Sequence, residues 1–294
     1  MAEISTKSGS WTFDGEVLRI VPGSDRSVHK LRKALGEVVV PVRAIAGVAY
    51  EPAKRGGRMR LRTRDGADPL SHVVAGRLTG DADPYALDVP RDRSGAGEYF
   101  ADEVRNFRTV WEVPDGPADR YLLTGPGVPI TAAAGDGTAS FDGQHVTFQW
   151  NWLAEDVKSD AGAQRFALDE IASVEWAPQS GMGYGYLRVW LRGDRNPPQS
   201  AEKDPRCVSW GMVKEGGTMV LLGAAVAARL PHPSGPPKEI EAPAAPEPAP
   251  DATDAILRRL RELGELRDTG VLTEDEFATA KQALLRRLTG DAPG

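Results

Sequence analysis

Apolar and polar side chains alternate with a period of two through much of the first 230 residues. Leu18 and Ile20 alternate with Val17, Arg19 and Val21, and Val146, Phe148, Trp150 and Trp152 alternate with Thr147, Gln149 and Asn151. A period of two is that of a strand with one face toward a core. Asp14-Gly15 and Asp142-Gly143 stand just before these runs and predict turns. Further strands are predicted at 37–42, 45–50, 58–64, 72–78 and 85–89, with counterparts later in the chain. Two stretches switch to helical periodicity. Phe100, Val104, Phe107 and Trp111 share one face of a predicted helix over 99–112. A second helix is expected over roughly 214–230, bounded by Pro231.

These elements occur twice. Ser10-Trp-Thr-Phe13-Asp14-Gly15 recurs as Thr138-Ala-Ser-Phe141-Asp142-Gly143. Ala44-Ile45-Ala-Gly-Val48-Ala-Tyr50-Glu-Pro52 recurs as Glu170-Ile171-Ala-Ser-Val174-Glu-Trp176-Ala-Pro178, and Arg60-Leu61-Arg62 as Tyr186-Leu187-Arg188. Conserved order and nearly constant spacing identify a duplication. Several short strands closed by one helix in about a hundred residues fit a small barrel with a helix over its open end, of which the pleckstrin-homology-like barrel is the best-known form. The expected fold is mainly β with α: two PH-like β-barrels, at 9–113 and 137–230, joined by a connector at 114–136.

Beyond 230 the pattern changes. Residues 231–251 are mostly Pro, Ala and Glu with almost no large apolar side chain, a composition that predicts a disordered spacer. Ile256, Leu260, Leu263 and Leu266 then share a helical face, and Gly270 follows at a C′ position. Thr273 is a fitting N-cap, Glu276 completes a capping box, and Leu272 with Phe277 forms a hydrophobic staple. Phe277, Leu284 and Leu288 line the second helix of a predicted α-helical hairpin over 252–290. A unit of this size, below about 40 residues, rarely buries enough surface alone. Its apolar faces therefore predict homo-oligomerisation through the hairpin.

The tail resembles the short C-terminal (SHOCT) domain of bacterial proteins, from Leu260-Arg-Glu-Leu263-Gly-Glu-Leu266 through Thr273-Glu-Asp-Glu276-Phe277 to Leu284-Leu285. That resemblance implies a module carried at the end of varied domains, with a proposed role in oligomerisation. Gly264 is a departure, costing ~1 kcal/mol relative to Ala in a helix. The duplicated region is similar to the actinobacterial domain of unknown function 4429. The similarity rests on the Phe-Asp-Gly openings at 13–15 and 141–143 and the Ile-x-x-Val strands at 45–48 and 171–174, and it implies no activity or site residue.

Composition narrows the function classes. The 294 residues carry a net charge of −6, and the acidic excess falls in the later part of the chain. That distribution argues against nucleic-acid coating. No apolar core follows a positive start, so no signal peptide is predicted. The longest apolar run, 219–228, is about half of the ~20 residues a spanning helix needs. No transmembrane segment is expected, and the expected location is cytoplasmic.

Catalytic chemistry has no foothold in the pattern. Cys207, the single cysteine, lies in an apolar run beside Val208 and Trp210 and reads as a buried hydrophobe. His29, His72, His145 and His232 form no metal-ligand spacing. Gly181-Met-Gly183-Tyr-Gly185-Tyr leads into a strand, where a phosphate loop needs a helix N-terminus, so it reads as a flexible hairpin. No catalytic residue, metal site or cofactor is expected, and the chain reads as not an enzyme.

One stretch could mark a surface site. Arg58, Arg60, Arg62 and Arg64 alternate with Met59, Leu61 and Thr63, which places four guanidinium groups on one strand face. The equivalent face of the second copy carries Tyr184, Tyr186, Arg188 and Trp190. Such a basic ladder suits a phosphate, an acidic headgroup or an acidic peptide. Cross-strand pairing with Asp and Glu on a solvated face is the simpler and favoured account, since exposed ion pairs are common. The expectation is a non-enzymatic, oligomer-forming binding or scaffold protein that could take a protein or anionic ligand on its barrels. The alternative is a membrane-surface or anionic-ligand binder acting through the arginine face.

Overall fold

The computed structural model describes residues 1–194, 199–211, 217–234, 278, 281 and 282. The chain divides into two compact units, Met1–Pro236 and Pro237–Gly294. In the second unit the described residues Ala278, Lys281 and Gln282 are helical and exposed. The rest of the expected hairpin, with Leu260, Leu263, Leu266, Leu272, Phe277, Leu284 and Leu288, lies outside the described residues, as does most of the expected linker.

The first unit is mainly β and consists of two runs of elements. The first run holds β1 (Ala2–Thr6), β2 (Gly9–Phe13), β3 (Val17–Pro22), α1 (Lys30–Leu35), β4 (Val38–Pro41), β5 (Ile45–Ala53), β6 (Gly56–Thr63), α2 (Pro69–Val74), β7 (Ala86–Pro90) and α3 (Ser94–Val110). The second holds β8 (Ile130–Ala133), β9 (Gly137–Phe141), β10 (His145–Trp150), α4 (Asp156–Ala161), β11 (Gln164–Ala167), β12 (Ile171–Ala177), β13 (Gly185–Leu191), β14 (Cys207–Trp210) and α5 (Met219–Ala227). Apart from α2 the runs agree element for element, as the repeated motifs predict.

Each copy contributes a four-stranded and a three-stranded antiparallel sheet, in the orders β1-β2-β3-β4 and β5-β6-β7, then β11-β10-β9-β8 and β12-β13-β14. None of the four sheets closes into a barrel. The expected closed barrel is replaced by two separate sheets per copy, with side chains bridging the seam between them.

The repeated Phe-Asp-Gly motif is legible as chemistry. Phe13 and Phe141 are fully buried. Asp14 Oδ1 accepts the amides of Glu16 at 2.9 Å and Val17 at 2.8 Å, and Asp142 Oδ1 accepts those of Gln144 and His145 at 2.7 and 2.6 Å. Both are Asx turns. These amides hold the two carboxyl groups below the ordinary aspartate range. Gly15 and Gly143 follow at φ of +104° and +106°, which favour glycine. At Gly15 a Cβ would also stand 2.7 Å from the Phe107 ring.

Phe107 belongs to α3, which packs against β1 and β5 and carries the predicted apolar face. Phe100 and Val104 are fully buried. Phe100 meets Trp11 edge-on at 6.1 Å between centroids, and Phe107 meets Phe13 at 5.5 Å. Trp111 Nε1 donates to the Gly15 carbonyl at 3.0 Å, which fixes the helix end to the Asx turn.

One predicted strand is a helix. Residues 72–78 contain Val73 and Val74, which favour a strand locally. Asp68 overrides them: its carboxylate accepts from the amides of Leu70 and Ser71, and Pro69 occupies the first turn. The resulting α2 packs against α5 of the second copy. All nine residues of α5 are buried, because β8, β9, β12 and β13 lie on one side and α2 on the other. A helix apolar all round is one covered all round. Among the described residues no helix is long and apolar enough to cross a membrane.

Candidate functional site

Strand β14 is an edge strand of its sheet. Its outward backbone groups at Cys207 and Ser209 need partners, since an unpaired buried carbonyl or amide is costly. They find them in two side chains and a turn. Lys158, on α4, is fully buried and donates to the Cys207 carbonyl at 2.6 Å, the Ala201 carbonyl at 2.7 Å and Asp136 Oδ2 at 2.6 Å. Asp136, in the β8–β9 turn, accepts the Ser209 amide at 2.9 Å and its hydroxyl at 2.6 Å. The Asp136 amide in turn donates to the Ser209 carbonyl at 3.1 Å. Side chains thus do what a neighbouring strand would do, and they bridge the two sheets of the second copy. The ammonium also lies 5.0 Å from the Trp150 ring centroid.

The first copy has a weaker form of this bridge. Arg32 on α1 holds the equivalent place, is 7% exposed, and donates to the Ser8 carbonyl at 3.1 Å across the β1–β2 turn. Burial pulls its guanidinium below the ordinary value. A buried cation on the short helix after the third strand is therefore a repeated feature, visible only once the copies are aligned through α1 and α4.

Above the Lys158–Asp136 bridge opens a cleft of about 600 Å³. Leu153, Met182, Tyr184 and Trp210 give it apolar and aromatic walls, and Glu155 and Glu202 contribute carboxylates. Trp210 is seated over the Gly185 backbone, where a Cβ would stand 2.1 Å from the indole Nε1. Tyr184 lies over Gly211, with its Cε1 3.5 Å from a Cβ built there. The glycine-rich 181–185 segment forms the β12–β13 turn, with a bridge between Ser180 and Gly183, as expected of a hairpin. Its place in a cleft wall was not legible from its composition.

Cys207 lies at the foot of this region, fully buried, and desolvation pushes its thiol up to about 12. It is a neutral packing group at ordinary pH. Asp136 and Ser209 reach the cleft floor already engaged with Lys158 and with each other. Among the described residues no group of three or more His, Cys, Asp or Glu is placed to hold a metal ion.

The arginine ladder has the expected alternation: Met59 and Leu61 are buried, and Arg60 and Arg62 are exposed. Its members differ in their engagements. Arg58 faces Asp88 at 3.7 Å and donates to the Gly80 carbonyl at 2.7 Å. Arg60 faces Glu51 at 3.5 Å. Arg64 is clamped by the carbonyls of Arg43, Gly116 and Pro117, which ties the connector to the first copy. Arg62 and Arg64 line a second cleft of about 540 Å³ beside α2. His72 lines it too and bonds the Tyr121 hydroxyl; burial, then the neighbouring His232, lowers its imidazole. His232, the second residue of the expected linker, meets the Tyr121 ring edge-on and bonds the Gly66 carbonyl at 2.8 Å.

The aromatic face of the second copy is mostly internal packing. Arg188 lies 5.0 Å from the Tyr186 ring and 5.5 Å from that of Trp190, with Nε 3.1 Å from Asp204. Tyr186 and Trp190 both donate to Glu175. Burial, then Glu175, pushes the Tyr186 phenol up to about 12. Tyr184 alone of that face reaches the cleft.

The duplication is matched by one family model, described as a domain of unknown function (DUF4429), over residues 11–105 and again over 139–227. A second model, the short C-terminal domain (SHOCT), matches residues 258–285. No curated protein matches the chain.

Proposed function

The chain belongs to the domain of unknown function (DUF4429) family, carried twice, and on that premise we propose that it is a non-enzymatic binding protein whose second copy holds the recognition site. The cleft between Tyr184, Trp210, Met182 and Leu153 carries this reading. Ligand sites are concave, mostly apolar and edged by a few polar groups. The titratable groups at its floor are committed to holding β14, which favours recognition over acid–base chemistry. Each copy is read as PH-like, its four-stranded and three-stranded sheets followed by a closing helix. Immobilised full-length protein is expected to enrich peptides from an unbiased library. Tyr184→Ala with Met182→Ser, both at exposed positions, should weaken the selected peptides by about tenfold or more. Unchanged affinity in that variant would move the recognition site elsewhere.

The C-terminal segment is proposed to hold several copies together, so that weak cleft contacts gain avidity. The apolar positions from Leu260 to Leu288 support this, since so short a hairpin needs a partner face. Light scattering after size exclusion should give a multimer for the full chain and a monomer for a chain stopped at Glu247. Equal masses for the two would remove the tail from assembly.

A further inference from the structure

We propose that the cleft of the second copy takes a peptide segment bearing a Lys or Arg side chain flanked by apolar residues. This rests on the cleft being the recognition site, and it names what that site selects.

Charge is the first ground. Among the described residues the charged side chains lining the cleft are Asp136, Glu155 and Glu202, and no basic side chain joins them. Asp136 is neutralised from below by Lys158 at 2.6 Å. Glu155 and Glu202 have no ion pair among the described residues. Glu155 occupies the N-cap of α4, yet its side chain makes no capping bond, so its carboxylate is not consumed by its own helix. Two carboxylates with no ion pair among the described residues, beside apolar walls, favour a cationic ligand and oppose a phosphate or an acidic headgroup.

Aromatic geometry is the second ground. Trp210 is 3% exposed and pinned over Gly185, while Tyr184 is 48% exposed and lies over the adjacent Gly211. The structure thus offers one fixed and one accessible ring beside the carboxylates, the combination that attracts ammonium and guanidinium groups. The same chain already uses this pairing internally, with Arg188 between Tyr186 and Trp190 beside Asp204.

The extent of apolar surface selects a peptide over a small cation. Met182 is fully exposed, and Leu153 and Tyr184, at 46% and 48% exposure, line the same cleft. These side chains continue the apolar wall beyond what a single ammonium or guanidinium could cover. Apolar surface of this kind at the rim of a cleft marks contact with a larger partner.

The test takes the peptides selected by the full chain and compares three forms of each: as selected, with Lys and Arg replaced by Gln, and with Lys and Arg replaced by Glu. Labelled peptides are titrated with wild type, with Glu155→Gln/Glu202→Gln, and with Tyr184→Ala/Met182→Ser, by fluorescence polarisation at low and high salt. Thermal melts confirm that each variant is folded. Selected peptides are expected to be rich in Arg or Lys beside Leu, Phe or Trp. Either the Gln peptides or the Glu155→Gln/Glu202→Gln variant should bind about tenfold more weakly or worse, and binding should fall with salt. Neutral or acidic peptides that need Tyr184 and Met182 but ignore the two glutamates would overturn the cation and leave the cleft as the site. Peptides indifferent to both variants, or no enrichment at all, would overturn both.

Discussion

Lys158→Met is expected to cost the first unit about 3–5 kcal/mol, the range for leaving one half of a buried ion pair behind. The ammonium has three hydrogens and donates all three, to Asp136, Ala201 and Cys207. Methionine fills much of the space and supplies none of them. The Asp136 carboxylate, 6% exposed, would then keep the Ser209 donors but lose its cation. The Cys207 carbonyl on the outer edge of β14 would lose its partner as well. Asp136→Asn in the Lys158→Met background removes the stranded charge and should recover part of the loss, giving a coupling well above the scatter of independent sites. Arg60→Gln provides the contrast. Its partner Glu51 is at 3.5 Å, but both side chains are more than half exposed, and such pairs contribute about 0–1 kcal/mol. Denaturant unfolding followed by tryptophan fluorescence measures all five proteins, including the Asp136→Asn single variant that closes the cycle. A Lys158→Met protein within about 1 kcal/mol of wild type would mean that the bridge does not hold the seam.

The contrast also explains what the sequence could and could not disclose. Strand alternation and the Phe-Asp-Gly turns depend on residues within a few positions of one another, so both copies were readable from pattern alone. Met59 and Leu61 face inward because of local periodicity, and that too was legible. The partners of Lys158 lie 22, 43 and 49 positions away along the chain. No local rule links a lysine on a short helix to the edge of a later strand. Aligning Arg32 with Lys158 across the duplication would have singled out the position, though not its partners. The arginine ladder shows a related limit: spacing gives the face of each guanidinium, but Asp88, Glu51 and the connector carbonyls decide what each one engages. Over 72–78 two valines favour a strand locally, and the capping signal at Asp68-Pro69 overrides them to give α2. The cleft itself is assembled from four loops and the end of β14, and of these the glycine-rich 181–185 turn stood out in the sequence, read as a hairpin.

The second large effect is expected where the copies meet. α5 stands in the second copy where α3 stands in the first, yet it has no solvent face, because α2 of the first copy covers it. Gly223 sits at that crossing. A Cβ there would lie 3.0 Å from Leu187 Cδ1 on β13 and 3.2 Å from Val73 Cγ1 on α2. These are side-chain ends that can yield by a few tenths of an ångström. Gly223→Ala should therefore be close to neutral, since alanine gains about 1 kcal/mol in helix propensity against that squeeze. Gly223→Leu has no such escape. Three further carbons must enter a contact already closed from both sides, and overpacking of this kind costs about 1–3 kcal/mol or more. Because α5 belongs to the packing of both copies, wild type should unfold in one transition. The leucine variant should unfold earlier, with the first copy parting from the second. Limited proteolysis would register this as faster cleavage near α2. A Gly223→Leu protein as stable as the alanine variant would show that the contact between α5 and α2 is loose, and that the two copies are held by their other contacts, such as α2 on β12.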